Sequence, residues 1–216
     1  RSTILAPDIK QSSTVVPDDV SIAFPFSACD EYAKKNLNKT IAEQVELISR
    51  IPRINIAYIS APWGYKLNDN VENCLSNAKK IIAPCPPNTH IILGDAGAIA
   101  CPSTVRQTLR AILPDINGRS LGVHFHCNES LNDQQNLCRL GTVLLTSMSM
   151  GVSSIDVASV GGSTNNKLND QKTKSTALRG NVPPELALML CAIFDVPVLG
   201  MPIPDIVSAI AKIKYI

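Results

Sequence analysis

Two histidines lie two residues apart in an apolar stretch of the chain, which reads SLGVHFH over positions 120–126. Alternate residues of a β-strand share one face, so His124 and His126 would project together, away from the apolar residues around them. Two imidazoles at this spacing can each give a ring nitrogen to one divalent ion. The pattern indicates a candidate metal site; the alternative is a pair of polar histidines at the end of a strand.

Three further motifs come directly after other apolar stretches. Asp95 follows one of them, where its carboxylate would either take part in chemistry or cap the next helix. Gly161-Gly162 would either bring backbone N–H groups close to a ligand or form a flexible turn. Gly180-Asn181 precedes a proline start of a helix. All of them end or follow successive strands, which is where barrel enzymes assemble their active sites, and this shared position favours a functional role.

The elements that would position these residues alternate in type along the chain. Apolar, β-branched runs predict strands at 2–5, 20–26, 54–60, 90–94, 120–126 and 153–159. Helical spacing of apolar residues between and after them predicts helices at 71–82, 103–113, 142–150, 184–194 and 204–213. A further helix begins at Thr40, because Thr40 and Glu43 have the spacing of a capping box.

Strands and helices that alternate in this way predict an α/β fold with a parallel sheet. Two architectures compete, an open doubly wound sheet and a (β/α)8 barrel. No glycine-rich phosphate loop follows the first strand, and such a loop would favour the open sheet. A complete barrel has eight units and typically ~250 residues. We therefore expect an incomplete TIM-type barrel, a single domain over 1–216 with about six βα units.

The composition excludes several classes of function. The chain has 20 Lys+Arg against 18 Asp+Glu, without the basic excess of a nucleic-acid binder. No apolar run approaches the ~18 residues of a membrane span. The seven cysteines include no C-x-x-C pair, which predicts reduced thiols in an intracellular compartment. The chain begins at Arg1 without a targeting segment, so we expect it to be part of something longer.

Several segments together form a more specific pattern. They are AFPFSACDEYAKKN at 23–36, AYIS at 57–60, LGDAG at 93–97, VHFH at 123–126, Met150-Gly151-Val152 with Asp156 and Gly161-Gly162, and Gly180-Asn181 followed by Glu185. In this order and approximate spacing they resemble the 3-hydroxy-3-methylglutaryl-CoA lyases, which belong to the metal-dependent barrel lyases and synthases. The resemblance extends over essentially the whole chain.

The resemblance implies a retro-Claisen cleavage of 3-hydroxy-3-methylglutaryl-CoA, an acyl-CoA, into acetyl-CoA and acetoacetate. It also implies Mg²⁺ or Mn²⁺ as cofactor and a place in leucine catabolism and ketone-body formation in the mitochondrial matrix, with the cytoplasm as the alternative. The roles that it implies are metal binding by His124, His126 and Asn181, substrate binding by Tyr58, Gly161 and Gly162, and catalysis by Asp95 and by Ser163, which stands where the family has a reactive cysteine.

The chain also departs from the family pattern. The chain starts at what resembles the third strand of the family, so the resemblance implies a barrel without the first two strands and without the Arg-Asp-Gly motif of the first. Cys127 replaces an aspartate, and Ala96 replaces a threonine. The segments 128–140 and 165–178 look longer than in the family. These departures keep two alternatives open, an inactive barrel that serves as a binding or regulatory subunit and a related acyl-CoA or 2-oxo acid lyase or synthase. Unpaired strand edges would favour a homodimer.

Overall fold

A computed structural model describes residues 3–5, 17, 19–51, 53–157, 181–182 and 184–193. The strands in this part are β1 (Thr3–Leu5), β2 (Ser21–Ser27), β3 (Ile56–Ser60), β4 (His90–Gly94), β5 (Leu121–His124) and β6 (Ser154–Ile155). The helices are α1 (Asp30–Tyr32, continued by a π-helical turn at Ala33–Leu37), α2 (Ile41–Arg50), α3 (Val71–Ile82), α4 (Pro102–Ile116), α5 (Asp133–Ser149) and α6 (Pro184–Ile193). The predicted helix at 204–213 and the residues Gly161, Gly162, Ser163 and Gly180 lie outside the described residues.

The strands run parallel and lie side by side in the order of the chain, β1 to β6. A doubly wound sheet would instead reverse its strand order at a switch point. A sequential parallel order is the order of a (β/α)8 barrel, in which each crossover helix packs on the same side of the sheet. The predicted incomplete barrel is therefore confirmed over the doubly wound sheet.

Most predicted elements have the expected bounds. Helix α3 spans the predicted residues, and the capping box at the start of α2 is present. Thr40 Oγ1 accepts from the Glu43 N–H at 3.2 Å, and the Glu43 carboxylate accepts from the Thr40 N–H at 2.7 Å. Each hydrogen bond satisfies a backbone donor that the first turn of a helix leaves without an intrahelical partner.

The predicted start of the helix at 142 is wrong, because α5 begins at Asp133. Asn132 caps it: its side chain accepts from the Gln135 N–H at 2.9 Å, and the Gln135 side chain accepts from the Asn132 N–H at 3.0 Å. The first turn of α5, residues 133–136, has no apolar residue, and the capping pair marks this start in the sequence. Much of the segment 128–140 that looked like an enlarged loop is therefore helix.

The sheet has one face packed under the helices and one that faces the barrel interior. On the helix side, Ile59, Leu93, Val123 and Phe125 are completely buried, and the Phe125 ring stacks on Trp63 with ring centroids 5.3 Å apart. No helix in the described ranges is long and apolar enough to cross a membrane.

Small residues surround His124 on the interior face of the sheet. In the register of the strands, His124 pairs with Gly94, Gly94 with Ser60, and Ser60 with Ser27. Successive residues of a row across a sheet point to the same face, so this row leaves room in front of the His124 ring.

A second glycine, Gly122 of β5, allows a hydrogen bond to cross that strand near its amino end. His90 Nε2 lies 2.9 Å from Ser154 Oγ, and His90 Nδ1 contacts Ser120 Oγ. A Cβ on Gly122 would lie 2.9 Å from His90 Nε2 and closer still to Ser154 Oγ. The bond from β4 to β6 thus requires that the strand between them carry no side chain at position 122.

Candidate metal and active site

The two histidines predicted from the H-x-H motif converge with Asn181 at the carboxyl end of the sheet. His124 Nε2 lies 3.0 Å from His126 Nε2 and 3.0 Å from Asn181 Oδ1. Asn181 reaches this position because residues 181–182 run beside the end of β5: His126 and Asn181 form an antiparallel bridge, and the Val182 N–H donates to the Phe125 carbonyl at 3.2 Å. The structure thus brings together all three predicted metal ligands.

Each imidazole is held through a second group. His124 Nδ1 lies 3.0 Å from Asp156 Oδ2 and 3.2 Å from the Asp156 carbonyl oxygen. The Asp95 backbone lies beside His126, and the Asp95 N–H donates to the His124 carbonyl at 2.8 Å. Partners of this kind fix the ring orientation and tautomer of metal-ligating histidines. The arrangement turns both Nε2 atoms toward the same point.

The surroundings push the pKa values of the two histidines in opposite directions. Burial acts to lower the pKa of His124, but the Asp156 carboxylate and the Asn181 side chain together raise it above its ordinary value. Burial and the neighbouring His124 lower the pKa of His126 to about 4. His126 is therefore neutral near pH 7, which is the form in which an imidazole binds a metal.

The donor atoms in this cluster fit a divalent transition ion better than Mg²⁺. Within the described ranges, no group of three or more His, Cys, Asp or Glu side chains could hold a metal ion, so the third donor is the Asn181 amide oxygen. Imidazole nitrogens suit transition ions, whereas Mg²⁺ prefers carboxylate and water oxygens. The convergence of two imidazoles and an amide thus fits a divalent transition ion better than Mg²⁺.

Tyr58 lies on the interior face of β3 and reaches the same aspartate that holds His124. The Asp156 carboxylate lies close to its hydroxyl, and burial together with that carboxylate raises the pKa of Tyr58 to about 12. The hydroxyl therefore stays protonated at physiological pH. Asp156 thus lies between Tyr58 and His124. The family-like segments include Asp156, but the resemblance assigned it no role.

The Asp95 carboxylate is fully enclosed at the end of β4. Its Oδ1 accepts from the Ile99 and Ala100 N–H groups at 3.0 and 3.2 Å, and its Oδ2 pairs with Arg139. Burial raises the pKa of this carboxyl, while the Arg139 guanidinium and the two N–H groups act against the rise. In the described part of the chain, the carboxylate contacts α5 and its own loop, whereas the Asp95 backbone contacts His126.

Arg139 is the residue at this end of the sheet that the sequence analysis missed. It is the one basic residue of the 17-residue helix α5, and its side chain is only 13% exposed. A single cation beside the apolar positions Leu140 and Val143 is a signal for an inward-facing arginine. The signal was lost because the helix was predicted to begin three residues after it.

Cys101 lies near this site, at the residue that precedes α4. Hydrogen bonds from Ser103 and Thr104 lower its pKa although burial acts to raise it, whereas burial raises the pKa of Cys127 to about 11. The thiolate is the form that reacts with alkylating agents. We expect iodoacetamide at pH 7.5 to modify Cys101 at least ~10-fold faster than Cys127, as measured by peptide mass spectrometry. The difference should disappear in denaturant; equal rates in the folded protein would contradict the prediction.

A sequential parallel sheet, with polar groups at the carboxyl ends of its strands, is the arrangement found in (β/α)8 barrels. No protein-family model matches the chain. Its sequence is similar to the mitochondrial hydroxymethylglutaryl-CoA lyase of Gallus gallus, with 28% identity over 172 residues that cover 74% of this chain and 54% of that protein. The chain thus spans about half the length of this curated relative.

Solved structures of HMG-CoA lyases share the fold. The lyase from Brucella melitensis superimposes with a TM-score of 0.72 at 21% identity, over 98% of this chain and 72% of its own. A lyase from Acinetobacter baumannii, solved in complex with coenzyme A and 3-methylmalate, gives a TM-score of 0.63 at 17% identity, over 96% of this chain and 65% of its own. The chain therefore resembles hydroxymethylglutaryl-CoA lyases in sequence and has the fold of an incomplete lyase barrel.

Proposed function

We propose that this chain is a hydroxymethylglutaryl-CoA lyase-like carbon–carbon lyase, which cleaves 3-hydroxy-3-methylglutaryl-CoA into acetyl-CoA and acetoacetate. The observation that carries the proposal is the convergence of His124 Nε2, His126 Nε2 and Asn181 Oδ1 at the catalytic end of the barrel. The sequence similarity to a lyase of this kind supports the choice of reaction.

The reaction makes definite demands on the site. The tertiary hydroxyl of the substrate loses its proton, and the carbon–carbon bond beside it breaks. The electron pair of that bond passes to the thioester fragment as an enolate, which takes up a proton to become acetyl-CoA. The hydroxyl carbon becomes the ketone of acetoacetate. A lyase must therefore stabilise negative charge on oxygen and must accept and return one proton.

The residues of the cluster can meet these demands. His124, His126 and Asn181 would hold the divalent ion, and the chemistry gained there is polarisation of the substrate oxygens. Asp156 orients His124 through Nδ1. The protonated Tyr58 hydroxyl lies on the substrate side of the sheet, beside Asp156, where it can donate a hydrogen bond. The small row Ser27, Ser60 and Gly94 leaves space for the acyl group.

The remaining expected roles belong to the same proposal. Gly161 and Gly162 would bind the substrate through the backbone, and Ser163 would stand at the position of the lyases' reactive cysteine with a hydroxyl in place of a thiol. Asp95 borders the site with its backbone, whose N–H donates to the His124 carbonyl at 2.8 Å. The coenzyme A complex of the Acinetobacter relative supports an acyl-CoA substrate, and the mitochondrial relative supports a location in the mitochondrial matrix. A homodimer remains part of the proposal.

A turnover assay tests the proposal. The chain is incubated with 3-hydroxy-3-methylglutaryl-CoA and Mn²⁺, and acetyl-CoA and acetoacetate are measured in the same reaction by mass spectrometry. We expect both products in equal amounts, and we expect a chelator to stop their formation. Binding of the acyl-CoA without either product would overturn the lyase proposal. It would favour the inactive binding subunit, for which Ser163 in place of the cysteine is the specific observation.

A further inference from the structure

The guanidinium of Arg139 makes three contacts, and all of them lie in the segments that follow β4 and β5. Its Nη1 donates to the His126 carbonyl at 2.8 Å, its Nε donates to the Ala100 carbonyl at 3.1 Å, and its Nη2 pairs with Asp95 Oδ2. The Asp95 side chain is completely buried. One cation thus joins helix α5 to the ends of two neighbouring strands.

These contacts hold His126 in two ways. The His126 main chain is tied directly, through its carbonyl oxygen. The end of β5 that carries His126 is tied a second time, because the Asp95 N–H donates to the His124 carbonyl at 2.8 Å while the Asp95 carboxylate is fixed by Arg139. The main chain at His124 and at His126 is therefore held by the same ion pair, and this backbone sets the direction in which the His126 imidazole projects.

The geometry calls for an arginine rather than a cation of any kind. The guanidinium is a planar fork with five N–H donors and can satisfy three separated acceptors at once. A lysine ammonium is a point charge on a flexible stem. It can still neutralise Asp95, but it cannot also reach the Ala100 and His126 carbonyls with fixed geometry.

We propose that Arg139 and Asp95 form a positioning pair that sets the orientation of His126 toward the metal. Asp95 then acts on the site through His126 and does not itself react with the substrate. This inference deepens the proposed function, because it rests on His126 being a metal ligand. It gives Arg139, which no motif in the sequence identifies, a role in the site.

Arg119 provides a matched control at the opposite end of the sheet. It is partly buried and, among the described residues, donates to backbone carbonyls: from Nε to Pro86 at 3.1 Å, from Nη1 to Ile116 at 3.0 Å and to Asp115 at 3.4 Å, and from Nη2 to Cys85 at 2.6 Å. It precedes β5, whereas Arg139 contacts the residues after it. Substitution of either arginine by lysine removes the same fork and retains the charge.

The first measurement is Mn²⁺ affinity by calorimetry. We expect Arg139→Lys to weaken binding ~10–100-fold, the usual effect of losing a group that orients a metal ligand, and Arg119→Lys to leave it within about twofold. Asp95→Asn keeps the acceptor for the Ile99 and Ala100 N–H groups and removes the charge facing Arg139. We expect Asp95→Asn to weaken Mn²⁺ binding as well. If Arg139→Lys does not fold, the Asp95 variant is compared with Arg119→Lys in its place. Equal effects of the two lysine variants would overturn the proposal.

The second measurement does not depend on the metal. Long-range ¹H–¹⁵N NMR spectra of the metal-free protein report the tautomer of each histidine ring. We expect Arg139→Lys to change the chemical shifts of the His126 ring nitrogens and to leave the chemical shifts of the His90 ring nitrogens unchanged. Failure of the wild type to bind Mn²⁺ would count against the proposed function, whereas unchanged His126 nitrogens would count against the positioning role. The two failures are thereby distinguished.

Discussion

We expect replacement of His124 by alanine to abolish measurable Mn²⁺ binding. His124 Nε2 is the atom that both other donors approach, each at 3.0 Å. Its loss leaves one imidazole and one amide, and it also frees the Asp156 carboxylate from its partner. Losing a group that only orients a ligand typically costs ~10–100-fold in metal affinity, so losing the central ligand should cost more than ~100-fold. Calorimetric titration with Mn²⁺ is the measurement.

His90→Ala is the matched control for this experiment. His90 is also half-buried on the interior face, but it lies at the amino end of β4 and hydrogen bonds to Ser120 and Ser154. We expect the His90 variant to lose some stability and to bind Mn²⁺ with the affinity of the wild type. If the His124 variant retained its affinity, or if both variants lost it equally, the metal role of His124 would be refuted.

The second large effect concerns stability. Gly97 lies in the loop after β4, packed against the backbone of Tyr65. A Cβ on Gly97 would lie 2.8 Å from the Tyr65 carbonyl carbon and 3.0 Å from its Cα, and closer still to its carbonyl oxygen. Tyr65 cannot move aside easily, because the N–H groups of Tyr65 and Lys66 both donate to Asp69 Oδ2. We expect Gly97→Ala to lower the free energy of unfolding by about 2–3 kcal/mol, as overpacking does.

Gly141→Ala is the counterpart of that substitution. Gly141 lies inside α5, where the nearest atom to an added Cβ is Leu190 Cδ2 at 3.4 Å. Alanine in a helix is favoured over glycine by ~1 kcal/mol, so this variant should be as stable as the wild type or more so. Urea unfolding of both variants gives the comparison. If Gly97→Ala were as stable as Gly141→Ala, the close approach of the two loops would be disproved.

The sequence predicted the parts of the site that depend on local periodicity. The alternation of side chains along a strand placed His124 and His126 on one face, whereas Tyr58 was identified through the family resemblance. The alternation of strands and helices predicted a parallel sheet, and the absence of a glycine-rich phosphate loop favoured the barrel over the doubly wound order. The inferences from alternation use residues that are close together in the chain, where a period of two or 3.6 residues is visible.

The parts that the sequence did not predict depend on contacts between distant residues. Asp95 and Arg139 are 44 residues apart, and no local pattern states that their side chains meet. The start of α5 was predicted too late because its first turn is polar. Because the predicted helix began at 142, Arg139 lay outside it, and the sequence did not predict a contact between Arg139 and His126.

The hydrogen bond between His90 and Ser154, which passes over Gly122, has a consequence for the register of β5. A slip of that strand by one residue would bring Leu121 or Val123 beneath the bond, and either side chain would break it. The same slip would turn both histidines of the candidate metal site to the helix side of the sheet, because side chains alternate with a period of two. Gly122 therefore helps to fix the pairing register of β5. The alignment that keeps the bond between His90 and Ser154 is the alignment in which His124 and His126 face the barrel interior.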